Sequence, residues 1–199
     1  MESDINHQIA TRVRQLRAER AMSLEALAER SGVSRSMISL IERGESSPTA
    51  VLLEKLAAGL DTTLATLFEP ASAPADPVAR HGDQPVWRDP ESGYVRRNVS
   101  PAGQQTPMQI VEVMFPPDAH VIYDSGGRQP TIYHQVWVLE GAIEVTVGDA
   151  RHDLATGDCL AFVLDRPTAY RNRTRAPARY AVVIVAGPLV TSLVATVKP

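Results

Sequence analysis

The sequence predicts a two-domain chain of mixed class, a helical half followed by an all-β half, on three observations. Apolar residues recur at helical spacing through residues 1–69, where Pro48 is the only proline before Pro70. Residues 70–85, PASAPADPVARHGDQP, hold four prolines and no apolar period, the signature of an extended, semi-rigid linker. From Val86 to residue 199 the apolar period changes to two. The expected organisation is thus a helical domain over 1–69, a Pro-rich linker over 70–85 and a β domain over 86–199.

Five short helices are expected in the first domain. Ile5, Ile9, Val13 and Leu16 form the first apolar stripe, and Leu24, Leu27 and Ala28 begin a second. Ile38 and Ile41 form the third, Leu52, Leu53, Leu56 and Leu60 the fourth, and Leu64, Leu67 and Phe68 a short fifth. Ser23 and Ser34 suit N-caps, because a side-chain oxygen there can accept an orphan helix N–H. Gly32 and Gly44 suit left-handed C-terminal positions, and Pro48 suits a first helical turn.

The second domain reads as short strands: MQIVEVMF, TIYHQVWVLEG, AIEVTVG, CLAFVLD and RYAVVIV are β-branched or aromatic-rich. Segments such as VGDARHDL, ATGD and LDRP read as the turns between them. Many short strands at near-regular spacing predict a β-sandwich or barrel.

Composition narrows the function. A chain with 44% hydrophobic and 22% charged residues is not wholesale disordered. No apolar stretch approaches the roughly 18–20 residues of a membrane span, and MESDINHQIA lacks the pattern of a secretory signal. Cys159 is the single cysteine, so neither an internal disulfide nor a thiolate zinc cluster is available. A cytoplasmic protein is expected, with Cys159 as a buried core thiol. The net charge of −3 argues against a general basic coat for nucleic acid. Residues 1–69 alone carry eight Lys and Arg against ten Asp and Glu, so any DNA contact must come from a locally placed face.

The segment SLEALAERSGVSRSMISLIERGESSPT supplies such a face. A helix over 23–30 ends in a tight turn at Ser31-Gly32-Val33, and a second helix starts at Ser34. Ala28 is small where the helices approach, and Val33, Ile38 and Ile41 pin the second helix to the core. Arg35, Ser36 and Ser39 are left on a face that a major groove can accept. This run, LA-E-RSGVS-S-IS-IERG-S-P, resembles the Cro/C1-type (XRE family) helix-turn-helix regulators, over roughly Ile9 to Phe68. The resemblance implies that Ser34, Arg35, Ser36 and Ser39 form the base-reading edge. It implies that Ser23 sets the preceding helix's N-terminus against a phosphate, and that Arg43 and the loop after it lie along the DNA backbone. It also implies a structural pair between Arg17 and Glu42. Arg12, Arg14 and Arg20 are read as solvated surface charges.

The β half resembles the cupin family from about Met108 to Val185, most clearly in VWVLEGAIEVTVG and LATGDCLAF. That family holds a divalent metal on histidines and a glutamate. Here His134 stands at the glutamate position, Gly127 and Gln129 (or Arg128 and Pro130) at the first two histidine positions, and Val163, Asp165 and Thr168 at the Pro, Gly and His positions of the second motif. Gly141, Gly157 and Asn172 remain. The scaffold is kept and the ligands are not, so no metal, cofactor or catalytic residue is expected; a two-histidine site of His134 with His120 is the weaker alternative. His134, Val136 and Val138 share the strand face the family points inward, and with Tyr170 they are the candidate ligand pocket. Tyr133 and Trp137 are expected to pack on the other face. Arg171, Arg173, Arg175 and Arg179 are read as an exposed basic cluster. Ser125-Gly126-Gly127 is too short for a phosphate cradle.

The expected function is sequence-specific DNA binding by a transcriptional regulator, acting as a homodimer on double-stranded DNA with a pseudo-palindromic operator. Its barrel is expected to bind a small-molecule effector, dimerise, or both. A metal-dependent cupin oxygenase or isomerase, and an antitoxin-like interaction module, are the alternatives.

Overall fold

A computed structural model describes residues 2–70, 76–104, 106–124 and 131–187, with side chains from Ile5 onward. The helical domain holds α1 (Glu2–Glu19), α2 (Leu24–Ser31), α3 (Arg35–Glu42) and α4 (Ala50–Gly59). The fifth stripe, Ala65–Phe68, is a 3-10 turn rather than an α-helix, because four residues are too few to close successive α-helical bonds. Ile9, Val13, Leu27, Ile38, Leu53 and Leu56 are fully buried at its centre. Pro48 lies one residue before the Thr49 N-cap of α4 and not within the first turn. A contact the hydrophobic pattern does not reveal fixes α2 on α4: a Cβ on Gly59 would meet the Ser31 Cβ at 2.8 Å, so only glycine allows this approach.

The β domain contains β1 (Val86–Arg88), β2 (Val95–Asn98), β3 (Met108–Phe115), β4 (His120–Tyr123), β5 (Ile132–Glu140), β6 (Ala142–Val147), β7 (Ala150–Ala155), β8 (Cys159–Val163), β9 (Thr168–Arg171) and β10 (Ala178–Ala186). They form two antiparallel sheets, ordered β1-β2-β3-β10-β5-β8 and β4-β9-β6-β7. The segment ARHDLA, read above as part of a turn, is strand β7; it is a mostly exposed edge strand paired with β6, which accounts for its polar sequence. The retained motif residues have structural tasks. Gly141 has φ +81°, and a Cβ there would lie 2.9 Å from the Pro177 carbonyl. Asn172 is fully buried and donates to the carbonyls of Phe115 (3.2 Å) and Ala176 (2.8 Å).

Two expectations about the β domain are corrected. Cys159 is exposed, and Trp137, its cross-strand neighbour, is 50% exposed instead of packed. Both lie on the outward face of β5 and the edge strand β8, where among the described residues no second layer covers the sheet. The basic cluster is partly paired: Arg173 binds Glu144 at 2.6 Å, and Arg179 lies near Glu112 and Glu140.

The two domains share one continuous apolar core. Phe68 meets Trp87 with ring centroids 5.3 Å apart, and Asn98 donates to the Ala65 carbonyl at 2.9 Å. Gln109 accepts from the Thr63 hydroxyl at 2.6 Å and donates to Glu69 at 2.6 Å. Burial there pushes the Glu69 carboxyl up from its ordinary range. The described end of the linker includes a 3-10 turn at His81–Asp83.

Candidate DNA-reading face and barrel cavity

The helix-turn-helix is built from local chemistry. Ser23 accepts the Ala26 N–H at 3.1 Å at the start of α2, and Ser34 accepts the Met37 N–H at 3.2 Å at the start of α3. Gly32 caps α2 with φ 67° and donates its N–H to the Ala28 carbonyl. The buried Ser31 hydroxyl donates to the Leu27 carbonyl and accepts the Val33 N–H, tying both sides of the turn together. Ile38 and Ile41 then bury one side of α3.

This leaves Ser34, Arg35 and Ser36 exposed along the start of α3, with Ser39 half-buried a turn later. Arg17 grips Glu42 through two bonds of 2.6 and 2.7 Å and also donates to the Met22 carbonyl at 2.8 Å. The fork ties α1 to the end of α3 and sets the angle at which the exposed edge is presented. The Glu42 contact raises the Arg17 pKa, so the cation persists throughout the working range. Arg43 donates to Ser39 and pairs with Glu45 at 2.7 Å.

One acid bears directly on the edge. Glu25 pairs with Arg35 at 2.5 Å, both side chains about two-thirds exposed. The Glu25 carboxyl is held below its ordinary pKa first by its own backbone N–H, then by Ser23 and Arg35. Arg35 therefore rests against the N-terminus of α2, on a carboxylate standing where a DNA phosphate is expected.

The second feature is a cavity of about 50 Å³ in the barrel, closed on one side by the helical domain. Glu54 of α4, Thr63 and Leu64 form that side; His134 and Tyr170 from the sequence-derived set line the barrel side. Val136 and Val138 are fully buried but outside the lining. Four tyrosines crowd the space: Tyr94 and Tyr123 share a hydrogen bond of 3.1 Å, and Tyr170 stacks on Tyr180 with centroids 6.0 Å apart. Burial pushes the Tyr94 phenol up to about 12 and raises the other three as well, so all four stay protonated. Arg96, on β2, is 6% exposed and lies over the Phe68 ring at 5.4 Å. Its Nε donates to Asn98 at 3.4 Å, while Nη2 has no hydrogen-bond partner among the described residues.

The cupin scaffold raises the question of a metal, and the described residues do not fit one. His134 is the one histidine lining the cavity, where its ring sits edge-on to Phe162 at 5.4 Å. His120 is exposed on β4, in the other sheet. The Thr168 hydroxyl is committed to the Arg166 carbonyl. No group of three metal-ligating side chains occurs among the described residues. The motif positions at Gly127, Arg128, Gln129 and Pro130, and the Ser125-Gly126-Gly127 segment, lie outside the described residues.

Comparison with known proteins agrees with both halves. The helix-turn-helix family model matches residues 13–67, and the cupin-domain model residues 119–185. The HTH-type transcriptional regulator SutR of Escherichia coli is 30% identical over 164 residues, covering 82% of this chain and 86% of its own length. SinR of Bacillus subtilis is 42% identical over 62 residues, 31% of this chain and 56% of its own. The crystal structure of an HTH_3-family transcriptional regulator from Vibrio cholerae superposes with a TM-score of 0.75 at 27% identity, covering 93% of this chain and 98% of that one. The chain belongs to the XRE-type helix-turn-helix transcriptional regulators that carry a C-terminal cupin domain. Among the described residues no helix is long and apolar enough to cross a membrane.

Proposed function

We propose that α3 is the recognition helix of a cytoplasmic, homodimeric regulator, with Arg35, Ser36 and Ser39 facing base edges in the major groove. Ser23, Ser34 and Arg43 are assigned to the phosphates and the helix starts that approach them. The observation that carries this reading is the exposed polar edge of α3, fixed by the Arg17–Glu42 fork and the Gly32 turn. One module offers too few base contacts for genomic specificity, so two copies on a pseudo-palindromic operator follow, with half-sites about one helical turn apart or a multiple of it. The test is selection of duplexes from a random pool by the full chain. A selected palindrome bound at least about a thousandfold more tightly than random DNA is expected, and equal affinity for both overturns the assignment.

The barrel is assigned to a small-molecule effector, around His134 and Tyr170, and to non-enzymatic work. The cavity wall supplied by the helical domain favours this reading, because a ligand there touches the unit that carries α3. Elemental analysis of the purified chain checks the non-enzymatic assignment; stoichiometric Fe, Mn, Ni or Zn would overturn it.

A further inference from the structure

The cavity holds a buried cation with unused hydrogen-bonding capacity. A guanidinium cannot deprotonate in a protein, and burying it without a counter-charge is costly. Arg96 lies over the face of Phe68 and makes a long bond to Asn98, and its Nη2 has no hydrogen-bond partner among the described residues. Tyr94, Tyr123, Tyr170 and Tyr180 line the same cavity as neutral phenols, one of the Tyr94 and Tyr123 hydroxyls donating to the other. This donor-rich wall matches an oxyanion, and a carboxylate matches the planar fork of Arg96 in particular.

The other side of the cavity is of opposite character. Glu54, 7% exposed on α4, presents a carboxylate from the helical domain, with the Thr63 hydroxyl nearby in the lining. A carboxylate has about four acceptor sites, so Glu54 can take a ligand's donor while keeping the contacts it already makes. The volume of about 50 Å³ holds roughly three to five waters.

We propose that the cavity binds a small carboxylic acid carrying a donor group, an amino or hydroxy acid of about four to six heavy atoms, whose carboxylate pairs with Arg96 of the barrel and whose ammonium or hydroxyl meets Glu54 of the DNA-binding domain. The proposal rests on the reading of the barrel as an effector site. The ligand then bridges the two domains directly, and its occupancy sets how α4, and α2 packed on it, sit against the barrel.

Calorimetric titration of the full chain with glycine, glycolate, acetate and ethanolamine tests this. Glycine or glycolate is expected to bind, which separates the ammonium from the hydroxyl source, while acetate binds at least about fivefold more weakly and ethanolamine not at all. Arg96→Met is expected to weaken binding by about tenfold or more. Should that variant fail to fold, Tyr170→Phe keeps the ring against Tyr180 and is expected to weaken binding about three- to tenfold. No binding of glycine or glycolate, or equal binding of acetate or ethanolamine, overturns the proposal, as does unchanged affinity in both variants. Anisotropy on the selected duplex in the same preparation separates the two readings. Selective DNA binding with none of the four acids or amines bound removes the ligand class alone, and ligand binding that leaves DNA affinity unchanged removes the effector role of the barrel.

Discussion

The Asp89 carboxylate, in the loop after β1, accepts the backbone N–H of Ala50 at 2.8 Å, so a barrel residue caps the first turn of α4 in the DNA-binding domain. Asp89 is 2% exposed, and its second oxygen accepts both the N–H and the hydroxyl of Ser92. An anion at a helix N-terminus satisfies an orphan N–H and complements the helix dipole. Asp89→Ala is expected to lower unfolding stability by about 1–2 kcal/mol, read by urea titration. A loss below about 0.3 kcal/mol would mean that Thr49, which accepts the Leu52 N–H at 3.4 Å, carries the cap alone.

The Arg17–Glu42 fork predicts a different phenotype. Glu42 is 8% exposed at the end of α3, so truncating Arg17 leaves its carboxylate nearly buried without its cation. Arg17→Met is expected to cost about 3 kcal/mol of stability. DNA affinity measured across a temperature series should fall with the folded fraction and recover in the cold, with the ranking of duplexes unchanged. A changed ranking of duplexes at full folding would place Arg17 at the DNA instead.

What was legible in the sequence follows the range over which each feature is determined. Ser23, Gly32 and Ser34 act on residues two to four positions away, so the turn and both caps can be read from the chain. Strands β3, β5, β6, β8 and β10 are apolar runs with β-branched or aromatic residues and declare themselves. Strands β1, β2, β4, β7 and β9 are short and polar-interrupted. The VRRN of β2 turns Arg96 and Asn98 inward, which inverts the apolar pattern that sequence reasoning relies on. The same inversion hides Glu54, buried in the middle of the α4 apolar run. His134 and Tyr170 were accessible through the cupin spacing, but their partners across the domain boundary depend on Phe68 meeting Trp87, a contact with no local signature.

Arg35 carries the prediction for specificity. It is exposed at the first position of α3 and buries nothing, so its removal leaves the fold intact. An Arg bidentate to a guanine edge contributes about 1–3 kcal/mol of discrimination. Arg35→Ala is therefore expected to weaken the selected duplex by about 5- to 100-fold, with random DNA affected far less. Fluorescence anisotropy on both duplexes reads the difference; equal losses on both would make Arg35 a phosphate contact.

Glu25 predicts the opposite sign. Its carboxylate holds Arg35 at 2.5 Å and occupies the α2 N-terminus, so DNA must displace one contact and tolerate a nearby negative charge. Exposed ion pairs are weak and screened by salt, so the restraint is modest. Glu25→Gln is expected to tighten DNA binding by up to about fivefold at low salt, with the gain shrinking as ionic strength rises. The gain should be smaller in Arg35→Ala, where only the phosphate repulsion remains to be relieved. The double-mutant cycle thus separates the two roles of Glu25: coupling between the positions measures the hold on Arg35, and the residual gain measures repulsion of the backbone. A loss of affinity in Glu25→Gln would show that the pair instead presets Arg35 for its base contact.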